Sequence, residues 1–108
     1  MDKLSNTNNS VISQTLSDHQ EKGFNLKKSL VLAMERTQSD LPNIDGAIED
    51  VINEFPNIEF SRIKQAIKNG SLGHYGRTYR MSTQEVCIWI KEYIKQNPTP
   101  KERQNSFI

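Results

Sequence analysis

Punctuation is what most limits the fold of this chain. Pro42, Pro56 and Pro98, with glycines at 70, 73 and 76, cut it into short segments, and each segment carries its own apolar stripe. Proline disfavours helical backbone in the residue before it and cannot donate within a helix interior. Between Pro42 and Pro56, the residues Ile44, Ala47, Ile48, Val51, Ile52 and Phe55 fall at i, i+3, i+4, i+7, i+8 and i+11, which lines up one face of a 3.6-residue helix. Asp45 is the expected N-cap of this helix, and Glu49 and Asp50 suit the positive end of its dipole.

The same grammar defines three further helices. Ser82-Thr83-Gln84-Glu85 reads as a Ser-x-x-Glu capping box. Val86, Trp89, Ile90, Tyr93 and Ile94 then continue at helical spacing until Pro98 stops the helix at Asn97. A stripe of this kind faces a core, so Trp89 and Tyr93 are read as packing residues ahead of any base-stacking or partner-anchoring role. Upstream, Ile58 to about Asn69 predicts a basic helix that buries Phe60, Ile63, Ala66 and Ile67 and ends at Gly70, a residue suited to a left-handed C-cap. A first dependable helix is expected from Asn25, as N-cap, to about Thr37, burying Leu26, Leu30, Ala33 and Met34.

The expected fold is therefore mainly α. A bundle of four helices occupies residues 23–97, with a Gly-rich loop or short β-hairpin between the last two. Residues 1–22, rich in Ser, Asn, Thr and Gln, are expected to form a flexible arm with a marginal helix near Ile12 to Gln20, and 98–108 a flexible tail. A hydrophobic content of 34% fits a chain only part of which enters the core.

Several function classes are set aside by composition. At 108 residues the chain supports one modest core and falls short of a multidomain enzyme. The single cysteine, Cys87, has no internal disulfide partner and is expected to be a buried small hydrophobe; with His19 and His74 far apart, no metal cluster or cofactor site is expected. The glycines near 70–76 are not followed by Lys-Ser or Lys-Thr, so they make no nucleotide-binding P-loop. The acidic residues of 39–57 have no neighbouring nucleophile or opposing base, which argues against an enzyme. No signal peptide or membrane span is visible, and a cytoplasmic protein that does not engage membrane is expected.

Charge is informative through its distribution. The total is +1, yet residues 39–57 carry five carboxylates and no cation, while 58–95 carry seven cations against three carboxylates. Either the basic part faces a polyanion or the two parts neutralise each other.

In order, residues 45–97 comprise an acidic helix, a Phe55-Pro56-Asn57 turn, a basic helix, a Gly-rich connection and a capped helix with tryptophan. This order resembles the small excisionase-type, or MerR-like, winged helix-turn-helix modules. The residues that carry the resemblance are Ile63, Ala66, Ile67, Gly70 and Leu72 in the second helix and its exit; Gly76, Arg77, Tyr79, Arg80 and Met81 in the wing; and Glu85, Val86, Trp89 and Ile90 beyond it. The Leu-Gly-x-Tyr-Gly and Trp-Ile-x-x-Tyr pieces are also similar to small proteins of phages and mobile elements in gut bacteria. The resemblance implies a second helix in the major groove of duplex DNA and a wing on its backbone. Gly73 and His74-Tyr75-Gly76 depart from the family's wing and allow a compact loop in its place. On this reading Arg62, Lys64, Lys68, Arg77 and Arg80 meet phosphates, Gln65 reaches a base edge and Tyr75 joins them from the loop. The module would act in replication, recombination or transcription control, with a second copy of the chain as a further partner. The competing reading is a helical adaptor or inhibitor that binds a host or phage protein, drawn from the nearly neutral charge and the polar arm.

Overall fold

The computed structural model describes residues 2–100, with side chains from Gln20 onward. It contains α1 (Asp2–Thr37), α2 (Ile44–Glu54), α3 (Phe60–Ser71) and α4 (Thr83–Gln96), and no strand among the described residues. The mainly α, four-helix architecture is the one the stripes predict. All but the last three residues of the arm expected over 1–22, and the tail expected over 98–108 after Pro100, lie outside the residues described to side-chain level. No described helix is long and apolar enough to cross a membrane.

Helix ends are where local signals and structure part. Asn25 lies inside α1, which runs on through Gly23 without a break, and the turn before it is tied to the next segment where Lys22 Nζ donates to the Ile58 carbonyl at 3.2 Å. The other end of α1 closes on Gln38, at φ 51°. There Gln38 N–H donates to Glu35 O and Ser39 N–H to Met34 O, the paired bonds of a Schellman motif on a residue other than glycine. The N-cap of α2 is Asn43, whose Oδ1 accepts from Gly46 N–H at 3.1 Å, so Asp45 serves in the first turn. Helix α3 runs through Gly70 to Ser71, and the left-handed position falls at Gly73, φ 89°, with Gly73 N–H to Gly70 O and His74 N–H to Asn69 O. At α4 only half of the expected capping box forms. Ser82 Oγ accepts from Glu85 N–H, but Glu85 Oε1 accepts from the Thr78 hydroxyl, which ties the loop to the helix.

Six contacts between the segments give the directions. Lys27 pairs with Asp45 at 3.7 Å and Gly23 faces Ile48, so α2 runs antiparallel to α1. Lys22 meets Ile58, and Arg36 Nη1 donates to Ser71 Oγ at 3.1 Å, so α3 runs parallel to α1. Arg62 Nη2 reaches the Asn97 carbonyl at 2.8 Å while Gly70 meets Trp89, so α4 runs antiparallel to α3. Helix α2 packs on α1 and α4, as does α3, leaving α2 and α3 across the bundle from each other although one short turn joins them.

The core gathers Leu26, Leu30 and Ala33 of α1, Ala47 and Val51 of α2, Ile63, Ala66 and Ile67 of α3, and Val86, Trp89 and Ile90 of α4, with Phe55 and Met81 closing its ends. Trp89 is 1% exposed, and its ring lies directly on the backbone of α3. A Cβ on Gly70 would come within 2.1 Å of that ring, so glycine is required here for close approach. Gly70→Ala is expected to cost about 2–4 kcal/mol through overpacking, seen as a lower urea midpoint at unchanged slope. Gln38→Gly is expected to add about 1 kcal/mol, seen as a raised thermal midpoint, because it relieves the left-handed backbone.

Candidate nucleic-acid interface

Helix α3 buries Ile63, Ala66, Ile67 and Gly70. The 100° step per residue therefore turns Ser61, Lys64, Gln65, Lys68 and Leu72 outward, and all five are exposed. No carboxylate lies within α3, and among the described residues none pairs with Lys64 or Lys68.

The face is bordered on one side by α1. Lys28 and Lys64 line a common cleft of about 360 Å³ with Asn25, Ser29, Leu32 and Phe60. Further along, Arg36 reaches Ser71, whose hydroxyl donates to Lys68 O at 3.0 Å. Lys28 and Arg36, absent from the residues singled out by sequence, come to this border because α1 and α3 run parallel. The signal available was two cations eight apart on a helix, which becomes meaningful only once the neighbour is known.

The other border is the connection from α3 to α4. Its only bridge is a single contact between His74 and Gly76, so a compact loop takes the place of a hairpin. Gln65 Nε2 donates to Asn69 Oδ1 at 2.8 Å, and Asn69 Nδ2 donates to the Tyr75 hydroxyl at 3.3 Å. That relay pins the loop to α3 and engages both Gln65 and Tyr75, the latter half-buried against the core. The loop's far end is fixed where Met81 N–H donates to Ser39 Oγ at 3.0 Å. Between these anchors Tyr79 stands 78% exposed, with the Arg77 guanidinium 4.9 Å from its ring centroid. Of the loop tyrosines, one hydrogen bond makes Tyr75 structural and leaves Tyr79 open.

The remaining residues singled out by sequence are placed elsewhere. Arg62 turns toward the C-terminal end of α4, bonded to Asn97 and lying 6.0 Å from the Tyr93 ring centroid. Arg80 lines a cleft with Leu41, Pro42, Asn43, Ser82 and Thr83, at the start of α2 and α4. Thus Lys64, Gln65 and Lys68 share one face, Tyr75 and Arg77 adjoin it through the loop, and Arg62 and Arg80 lie toward opposite ends of the bundle.

The acidic residues stand apart. Asp45, Glu49, Asp50 and Glu54 belong to α2, on the far side from α3, and the ion pair recorded among the described residues takes Asp45 to Lys27 of α1. No group of three His, Cys, Asp or Glu side chains gathers among the described residues. Cys87 is half-buried, less enclosed than its apolar neighbours predict. Burial pushes its thiol above the ordinary value, the Glu54 carboxylate adds to this, Lys91 opposes it and Asp50 again raises it.

The chain matches no family model, no curated protein and no solved structure. Its chemistry must be read from its own residues.

The Cys87 environment has a direct consequence. The folded chain is expected to react with iodoacetamide more slowly than the urea-unfolded chain at about pH 8, with the difference narrowing as pH rises through the raised thiol pKa. The sign for stability is the same: this contribution is intact below the ordinary thiol pKa and is lost as pH rises through the raised one.

Proposed function

We propose that the exposed face of α3, with Arg77 and Tyr79 of the following loop, is a nucleic-acid-binding surface of a small DNA-binding module. Duplex DNA is its target, and replication, recombination or transcription control on a phage or mobile element is its setting. The observation that carries this reading is the carboxylate-free outer face of α3, where Lys64, Gln65 and Lys68 stand exposed. Lysine ammonium groups in this position exchange condensed counterions for phosphate, the sequence-independent part of DNA affinity. Gln65 is the group suited to a base edge, provided it leaves Asn69, and bidentate contact to adenine is within its chemistry. Arg77 adds a charge at the border of the face, and Tyr79 offers a ring for stacking.

The adaptor reading would draw on Trp89 or Tyr93 as its anchor. Trp89 is buried and Tyr93 half-buried beside Arg62, so neither supports it.

Fluorescence anisotropy with labelled duplex and single-stranded DNA tests the proposal. Binding is expected at about 50 mM salt and is expected to fall by orders of magnitude by about 200 mM. Replacing Lys64 and Lys68 together by Gln is expected to weaken binding to all sequences and to flatten the slope of log K against log salt by about two. Arg77→Ala is expected to flatten it by about one. Absence of binding at low salt, or a slope that ignores the lysines, removes α3 as the surface.

A further inference from the structure

The outer face of α1 carries an apolar stripe that no described residue covers. Phe24, Val31 and Leu32 are 60%, 43% and 46% exposed on a helix that buries Leu26, Leu30 and Ala33 completely. With Lys27 and Lys28 they line a shallow cleft of about 460 Å³. Glu21, Phe24, Lys28, Val31 and Glu35 succeed one another in steps of three and four, so they lie along one side of α1. The charged positions of that side alternate in sign at intervals of seven residues, Glu21, Lys28, Glu35, and all three are exposed. Lys28 lies 4.6 Å from the centroid of the Phe24 ring, so its stem is laid along the stripe.

We infer that two copies of the chain pair through this stripe, with their α1 helices antiparallel. The sign pattern selects the direction. Parallel, in-register helices would set Lys28 against Lys28 and Glu35 against Glu35. Antiparallel helices about a dyad beside Val31 set Lys28 of each copy next to Glu35 of the other, while Val31 and Leu32 face each other across the dyad. A surface complementary to itself under a two-fold rotation is what a second copy requires, whereas an unrelated partner places no such demand on the alternation. The stretch paired about this dyad, Lys28 to Glu35, is about two turns long, with Phe24 flanking it, so the contact belongs to the small, reversible class with a dissociation constant of about micromolar order or weaker.

Sedimentation equilibrium of the full chain, from about 5 to 500 μM, is expected to show a monomer–dimer equilibrium. Lys28→Glu and Glu35→Lys are each expected to lower the association constant about tenfold or more, since each sets like charges across the dyad. The double reversal is expected to restore it, and far-UV circular dichroism identifies any variant that fails to fold. A chain that stays monomeric throughout overturns the inference. So does a dimer indifferent to the single reversals, or a double reversal no better than either single one. The readout is oligomeric state, and the DNA-binding reading is tested through Lys64 and Lys68, so each can fail without the other.

Discussion

Everything else in the bundle depends on the contact between Gly70 and Trp89. The largest side chain of the protein lies on the bare backbone of α3, where any β-carbon would intrude on the ring. This contact and the bond from Arg62 to Asn97 define the antiparallel register of α3 on α4. Register in turn decides rotation. With Ile63, Ala66, Ile67 and Gly70 committed to the core, the helical step leaves Lys64, Gln65 and Lys68 no direction but outward. The basic face is thus a consequence of packing on its opposite side.

Charge separation follows from the same arrangement. Neighbouring helices in a bundle lie about 8–10 Å apart, so helices across the diagonal are separated by more than a Debye length of about 8 Å at physiological salt. The carboxylates of α2 therefore do little to neutralise α3, although the turn joining the two helices is short. Of the two meanings the sequence left open for its acidic and basic parts, mutual pairing finds no ion pair between α2 and α3 among the described residues, and the recorded pair takes Asp45 to α1. A total charge of +1 then describes neither face.

Much of this was legible from residue order because helical stripes and prolines are local signals. The apolar residues of α2, α3 and α4 that the spacing selects are core residues or pack against the core, and the described residues form four helices. What escaped was set by contacts between distant segments. Gly70 near a helix end reads as a cap by local grammar; its true role depends on Trp89, nineteen positions on. Gln38 gives no local sign of left-handed backbone, since glycine and asparagine are the residues that announce it. Asn43 and Asp45 are both good caps, and only the bond to Gly46 distinguishes them. For the surface, residue order singled out Tyr75, whereas the Asn69 bond engages Tyr75 and leaves Tyr79 as the exposed loop tyrosine. Lys28 could not be assigned to the α3 border before the parallel course of α1 was known.

Lys28 also links the two proposed surfaces. It lines the cleft beside Lys64 and lies on the Phe24 ring at the outer stripe, so one ammonium group stands within the reach of both. A polyanion that drew Lys28 into the cleft would take it from Glu35 of a paired copy and weaken the pairing. By thermodynamic reciprocity, pairing would weaken that one phosphate contact by the same factor. Against this local opposition stands the gain from joining two α3 faces in one particle, where the second face binds at the effective concentration set by the first. A single phosphate contact is a small part of a multi-contact interface, whereas avidity multiplies the whole of it. The balance therefore favours pairing and nucleic-acid binding that reinforce each other wherever the dyad lets both α3 faces meet the same strand, and favours opposition where it does not.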